Sequence, residues 1–172
     1  MKIIINESQL RMIVENEGED SLIDFTHVYR TGFPPEDWDD MYEHLNKKKG
    51  GIYDGYYIDS YVNLSYSDVT ELKYLVKVGG SLNLNGSKIK SLGNLKSVGG
   101  FLDLYNTLIE TLGNLESVGG HLDLEDSLIK SLGNLKSVGG FLDLKNTPLF
   151  KKTTEEELRS KINVGGEIYL WK

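Results

Sequence analysis

The sequence predicts an α/β repeat: a short parallel β-solenoid on a 20-residue period behind a mixed N-terminal cap containing helices. Three observations predict it. From Val78 the chain reads VGGSLNLNGSKIKSLGNLKS, VGGFLDLYNTLIETLGNLES, VGGHLDLEDSLIKSLGNLKS and VGGFLDLKNTPLF, without slippage. Within each unit Leu-x-Leu alternates apolar with polar, the period of a strand with one buried face. Glycine recurs in register, as pairs at 79–80, 99–100, 119–120, 139–140 and 165–166 and singly at 93, 113 and 133, which takes 13 of the 19 glycines.

Residues 1–57 do not follow the period and read as a capping segment with two helices. Asn6 with Gln9 three residues on is a capping-box pattern, and Leu10, Ile13 and Val14 give the first helix an apolar face. Residues 22–29 (LIDFTHVY) suit a strand. Pro34 and Pro35 open a second helix with Trp38, Met41, Tyr42 and Leu45 on one stripe. Its acidic start (Glu36, Asp37, Asp39, Asp40) and basic end (Lys47, Lys48, Lys49) complement the helix dipole, and Gly50 stops it.

The array then occupies 58–172, with rungs starting near 58, 78, 98, 118, 138 and 164. Ile58, Val62, Leu64, Val69, Leu72 and Leu75 make a degenerate first unit on the same columns. Each full repeat sends about six aliphatic side chains inward, for example Leu102, Leu104, Ile109, Leu112 and Leu115. At roughly 1.5–3 kcal/mol per buried side chain these stabilise a stack of rungs, though one rung alone cannot bury them. Glycine is expected at the corners for backbone angles that other residues avoid. Ser67, Ser87, Thr107, Ser127 and Thr147 are placed to bond to the backbone of the turn.

An insertion at 153–161 carries its own capping box, Thr154 with Glu157, and is expected to be a helix packed through Leu158 and Ile162. The strand Glu167–Trp171 follows, and its edge needs a cover. Two solutions fit: the 153–161 helix folded over the end, or a homodimer paired edge to edge through Glu167, Tyr169 and Trp171. The second is slightly favoured, because the helix precedes the strand.

Composition narrows the function. Of the net charge of −7, residues 1–57 hold −6, with six Lys/Arg against twelve Asp/Glu. The array is nearly neutral and has no basic cluster, which argues against a nucleic-acid partner. There is no cysteine, and the opening apolar run is too short for a signal peptide. No stretch suggests a membrane span, so a soluble, cytoplasmic protein is expected.

With these residues in view, the array resembles the leucine-rich-repeat superfamily. Gly100–Ile109 matches the family core Gly-x-Leu-x-Leu-x-x-Thr-x-Ile, and Asn114–Leu124 resembles the receptor L-domain branch. The resemblance implies a leucine-rich-repeat-type solenoid that binds a protein or other ligand on its concave sheet. The opening IIINESQLRMIVEN is similar to short N-terminal segments of bacteriophage proteins.

Binding should use side chains that point out of the sheet. Three columns do so: Tyr61, Ser81, Phe101, His121, Phe141, Glu167; then Asn63, Asn83, Asp103, Asp123, Asp143, Tyr169; then Ser65, Asn85, Tyr105, Glu125, Lys145, Trp171. Rungs stack about 4.8 Å apart, so Asp103, Asp123 and Asp143 form a row of like charges. Elsewhere the sequence avoids this, since Lys90/Glu110/Lys130 and Lys96/Glu116/Lys136 alternate in sign. A basic partner or a cation would relieve the row, whereas the plainer account is repeat duplication with screening by water. Phe101, Phe141, Tyr105, His121 and Glu125 lie beside it and complete a candidate surface for a protein with a basic patch.

Carboxylates about 5 Å apart also match a retaining glycosidase, but equivalent positions on consecutive rungs argue against acids in distinct roles. Three scattered histidines and no cysteine make no usual metal-ligand spacing. The expectation is therefore a binding protein with no cofactor, no metal site and no enzymatic activity. Its alternatives are a structural virion or scaffold component and a carbohydrate-binding protein.

Overall fold

A lone Leu-x-Leu segment has no use for its backbone hydrogen-bonding groups until a neighbour supplies partners. In the computed structural model, which describes residues 22–26, 28 and 35–171, that neighbour is the same segment one turn along. Sheet A holds β1 (Leu22–Asp24), β2 (Gly55–Ile58), β4 (Leu75–Val78), β6 (Ser97–Val98), β8 (Ser117–Val118), β10 (Ser137–Val138) and β12 (Asn163–Val164), adjacent in that order. Sheet B holds β3 (Val62–Asn63), β5 (Leu82–Asn83), β7 (Leu102–Asp103), β9 (Leu122–Asp123), β11 (Leu142–Asp143) and β13 (Ile168–Tyr169). All pairs are parallel, and in the repeats partners lie one period apart, as in Val98 with Val118 and Leu102 with Leu122. The chain is a parallel β-solenoid with two short sheets and few helices.

Each turn therefore has two strands where the sequence reading saw one. The second, at Ser-Val before the glycine pair, sends only the valine inward, and two residues cannot display a period of two. On the third side of the coil, single bridges join Glu71 to Ser91 and Thr111 to Ser131. The inward columns are buried in the full repeats, with Val69 of the first unit half-buried against them, and the core runs as one cluster from Ile23 to Ile168. Strand β2 crosses the 57/58 boundary placed between cap and array. Each sign-alternating column holds an ion pair, Lys130 with Glu110 and Lys136 with Glu116.

The glycines divide by cause. Gly93, Gly113 and Gly133 take φ of +55°, +56° and +56°, the left-handed angle expected of a corner. The paired glycines do not take such angles. Built on Gly99, Gly119 or Gly139, a Cβ would stand 2.0–2.1 Å from the carbonyl oxygen of the paired glycine one turn earlier. Close stacking, not torsion, demands them. Four hydroxyls of the Ser/Thr column bond as expected, for example Thr107 Oγ1 to Leu104 O at 2.8 Å. Ser87 departs from this, since its buried hydroxyl has no partner among the described residues.

At the N-terminal end β1 covers only part of the expected strand, and Thr26 and Val28 are already helical. Asp24 Oδ1 accepts from Thr26 N (2.8 Å), a local turn that ends the strand. Helix α1 (Trp38–Lys48) follows a short 3₁₀ turn at Pro35–Asp37 and buries Trp38, Met41, Tyr42 and Leu45. Trp38 and Tyr42 meet Tyr56 of β2 at 6.5 and 6.0 Å between ring centroids, so the helix covers the first turn. It ends at Gly50, where φ is +79°. The helix expected from Asn6 lies outside the described residues, as do Pro34 and Lys172.

At the other end α2 (Glu155–Lys161) starts from Thr154 with its capping box formed, and Leu158 and Ile162 are buried. Arg159 on this helix donates from Nη1 to Val164 O (3.0 Å) and from Nη2 to Gly166 O (2.9 Å), while Glu155 Oε1 holds its Nε at 2.8 Å. One turn earlier the same two carbonyls, Val138 O and Gly140 O, accept from Gly165 N (2.9 Å) and Gly166 N (3.0 Å). The guanidinium thus replaces the two amides that a further turn would bring. Arg159→Ala is expected to cost about 1–2 kcal/mol in urea unfolding. Arg159→Lys should recover under half of it, since one ammonium does not span two carbonyls as the planar fork does. Full recovery by lysine would show that charge alone matters.

Candidate functional site

The outward face of sheet B carries the three expected columns. In the first, alternation of polar and aromatic residues has a local cause. Ser81 Oγ accepts from Phe101 N (3.0 Å), and His121 Nδ1 accepts from Phe141 N (3.1 Å). A side-chain acceptor on one turn thus satisfies the amide of the aromatic on the next. His121 stacks on Phe141 with ring centroids 4.0 Å apart, and Phe141 meets Tyr169 at 5.6 Å. Tyr169 in turn meets Trp171 edge-on at 5.0 Å. These four rings form one strip. Phe101 stands apart from it with Tyr61, at 6.1 Å.

The middle column ends the strand by capping the turn behind it. Asp103, Asp123 and Asp143 each offer Oδ1 to the amide two residues on, Tyr105, Glu125 and Lys145, at 3.0, 3.0 and 2.9 Å. Asn63 and Asn83 do the same for Ser65 and Asn85, at 3.1 and 3.0 Å. The turn requires a side-chain oxygen and not a charge. The next residue then takes a left-handed angle, at Tyr66, Asn106, Asp126 and Asn146 with φ from 52° to 58° and at glycine in Gly86.

The row is not simply open to screening water. Asp143 is buried, and Asp103 and Asp123 are half-buried. Burial first, then the charges of Asp103, Asp143 and Glu125, push the Asp123 carboxyl up to about 6, against the pull of the Glu125 amide. Equivalent backbone positions have therefore not given equivalent surroundings.

Lys145 creates the difference, and the sequence reading missed its part. Its ammonium sits 2.8 Å from Asp143 Oδ2 and 2.9 Å from Glu125 Oε2, and 5.7 Å from the ring centroids of both Tyr169 and Trp171. Hydrogen bonds to the two carboxylates raise its pKa. Carboxylate oxygens of Asp123, Glu125 and Asp143 lie within 4.8 Å of one another, a spacing that suits a cation, and Lys145 brings one to two of the three. The signal was available, because Lys145 stands in the third column one period after Glu125. Among the described residues no lysine or arginine pairs with Asp103 or Asp123.

Tyr105 turns its hydroxyl to Asp126, which raises the phenol pKa. The edge residues Glu167 and Tyr169 bond to each other, raising the Tyr169 pKa. Two hollows lie away from these residues. A shallow groove of about 460 Å³ follows Ser97, Ser117, Ser137 and the glycine corner on sheet A, and a second of about 640 Å³ lies between Asp39 and residues 67–73. Among the described residues no helix is long and apolar enough to cross a membrane. No family model matches the chain, and no curated protein or solved structure is significantly similar to it.

Proposed function

We propose that the chain is a non-catalytic, leucine-rich-repeat-like binding module, phage-encoded and acting in the host cytoplasm, whose sheet B face docks a basic patch of a host protein. The observation that carries this reading is the contrast along the Asp row. Asp143 and Glu125 share Lys145, while half-buried Asp103 and Asp123 have no cationic partner among the described residues. An arginine or lysine seated against those two would relieve their repulsion. Phe101 and Tyr61 on one side, with the His121–Phe141 stack, supply aromatic surface around the charge.

The test is capture from a host lysate with the wild-type chain and with the triple variant Asp103→Asn, Asp123→Asn, Asp143→Asn. Asparagine keeps the turn-capping oxygen, and relief of repulsion at Asp123 offsets the lost Asp143–Lys145 pair, so the fold should remain as stable or become more so. Affinity for the captured protein is expected to fall at least about tenfold and its salt dependence to flatten. Equal affinity in the variant would move the binding site off this face.

A further inference from the structure

Along sheet B the inward residues donate to the next turn: Leu122 N to Phe141 O, Leu142 N to Glu167 O and Leu144 N to Tyr169 O, at 3.0, 2.9 and 3.0 Å. On β13 the matching donors are Ile168 N and Leu170 N, and no strand of the described chain lies beyond it. Sheet A ends differently, since Arg159 fills the positions that the next glycine pair would take. Helix α2 and this arginine also stop a second copy from adding on as one more turn. What remains for pairing is a single strand, and only a strand running the other way can use it without continuing the coil.

We infer that two copies of the chain pair through β13, antiparallel about a two-fold axis at Tyr169, joining their six-stranded sheets B into one. The segment is complementary to itself. Ile168 and Leu170 present their amides and carbonyls on the free edge two residues apart, so each bonds to the other in the second copy. Tyr169 then faces its own counterpart as a close aromatic pair. Glu167 comes opposite Trp171 of the second copy, whose ring has Lys145 5.7 Å from its centroid, so an acid approaches a cation twice. Strands that resist edge pairing carry inward charge, lysine or proline, and Glu-Ile-Tyr-Leu-Trp has none of these. Asp123 lies two strands back on β9, so the pairing does not depend on whether the face docks a basic partner.

Sedimentation equilibrium of the full chain into the high micromolar range, with amide exchange followed in the same samples, tests the inference. A dimer is expected, with protection at Ile168 and Leu170 that rises with the dimer fraction. Tyr169→Lys, which sets two ammonium groups face to face, should weaken association about tenfold or more. Glu167→Lys, which turns attraction to Lys145 into repulsion, should weaken it as well, and its side chain lies outside the core. A monomer at every concentration overturns the inference. So does a dimer that both variants leave unchanged while Ile168 and Leu170 exchange freely.

Discussion

Gly119→Ala is expected to destabilise the solenoid by about 3 kcal/mol or more, while Gly113→Ala costs only about 1 kcal/mol. The two lie six residues apart in the chain, and sequence gives no ground for ranking them. At Gly119 the added carbon would stand 2.1 Å from Gly99 O and 3.0 Å from Gly99 C, both backbone atoms that no rotamer change can move. Nor can the segment back away, because Gly119 N bonds to Val98 O (2.8 Å) and Gly120 N to Gly100 O (2.8 Å). Relief requires opening the stack between two turns. At Gly113 nothing lies within 4 Å of the new carbon, so the cost is that of holding alanine at φ +56°. Urea unfolding of both variants measures the difference. Equal losses would mean that torsion governs both positions and that the turns can separate enough to admit a methyl group.

That contrast marks what was legible in the sequence. The columns were, because a 20-residue period acts on every side chain alike: in the full repeats the expected leucines, isoleucines and valines are in the core. Helix α2 was legible down to its Thr154–Glu157 cap, and α1 to its four buried side chains, since both depend on spacing within a few residues. Contacts between turns were harder. Sequence alone suggests a torsional cause for the glycine pairs, because the carbonyl that excludes a side chain belongs to another repeat. Lys145 and Arg159 act on groups that the coil alone brings near, and Arg159 needs α2 to fold back against β12. The Asp row shows a signal seen and misweighed. Its repulsion was evident, but Asn63 and Asn83 in the same column already pointed to a shared oxygen acceptor.

Asp123→Asn is expected to raise stability at pH 7 by about 1–2 kcal/mol, less than the full pKa shift because water still reaches part of the carboxyl, with the gain fading below about pH 4. The Asp123 carboxyl lies at about 6 in the folded chain against 3.8 as its ordinary value, a shift of about two units at 1.36 kcal/mol each. An acid raised on folding holds its proton more tightly in the native state. Its contribution is therefore fully present below 3.8, falls as pH rises towards about 6, and stays lost above that. Asparagine removes the charge that burial and Asp103, Asp143 and Glu125 oppose, while still accepting from the Glu125 amide as Asn83 does from Asn85. Asp143→Asn should act in the opposite direction at pH 7, because it takes a carboxylate from Lys145, 2.8 Å away. Urea unfolding between pH 4 and 8 separates the two variants. If Asp123→Asn gained as much at pH 4 as at pH 7, its effect would not come from the carboxylate charge. If both variants gained alike at pH 7, Lys145 would not be the cation that balances this end of the row, and Asp143 would stand as exposed to repulsion as Asp123.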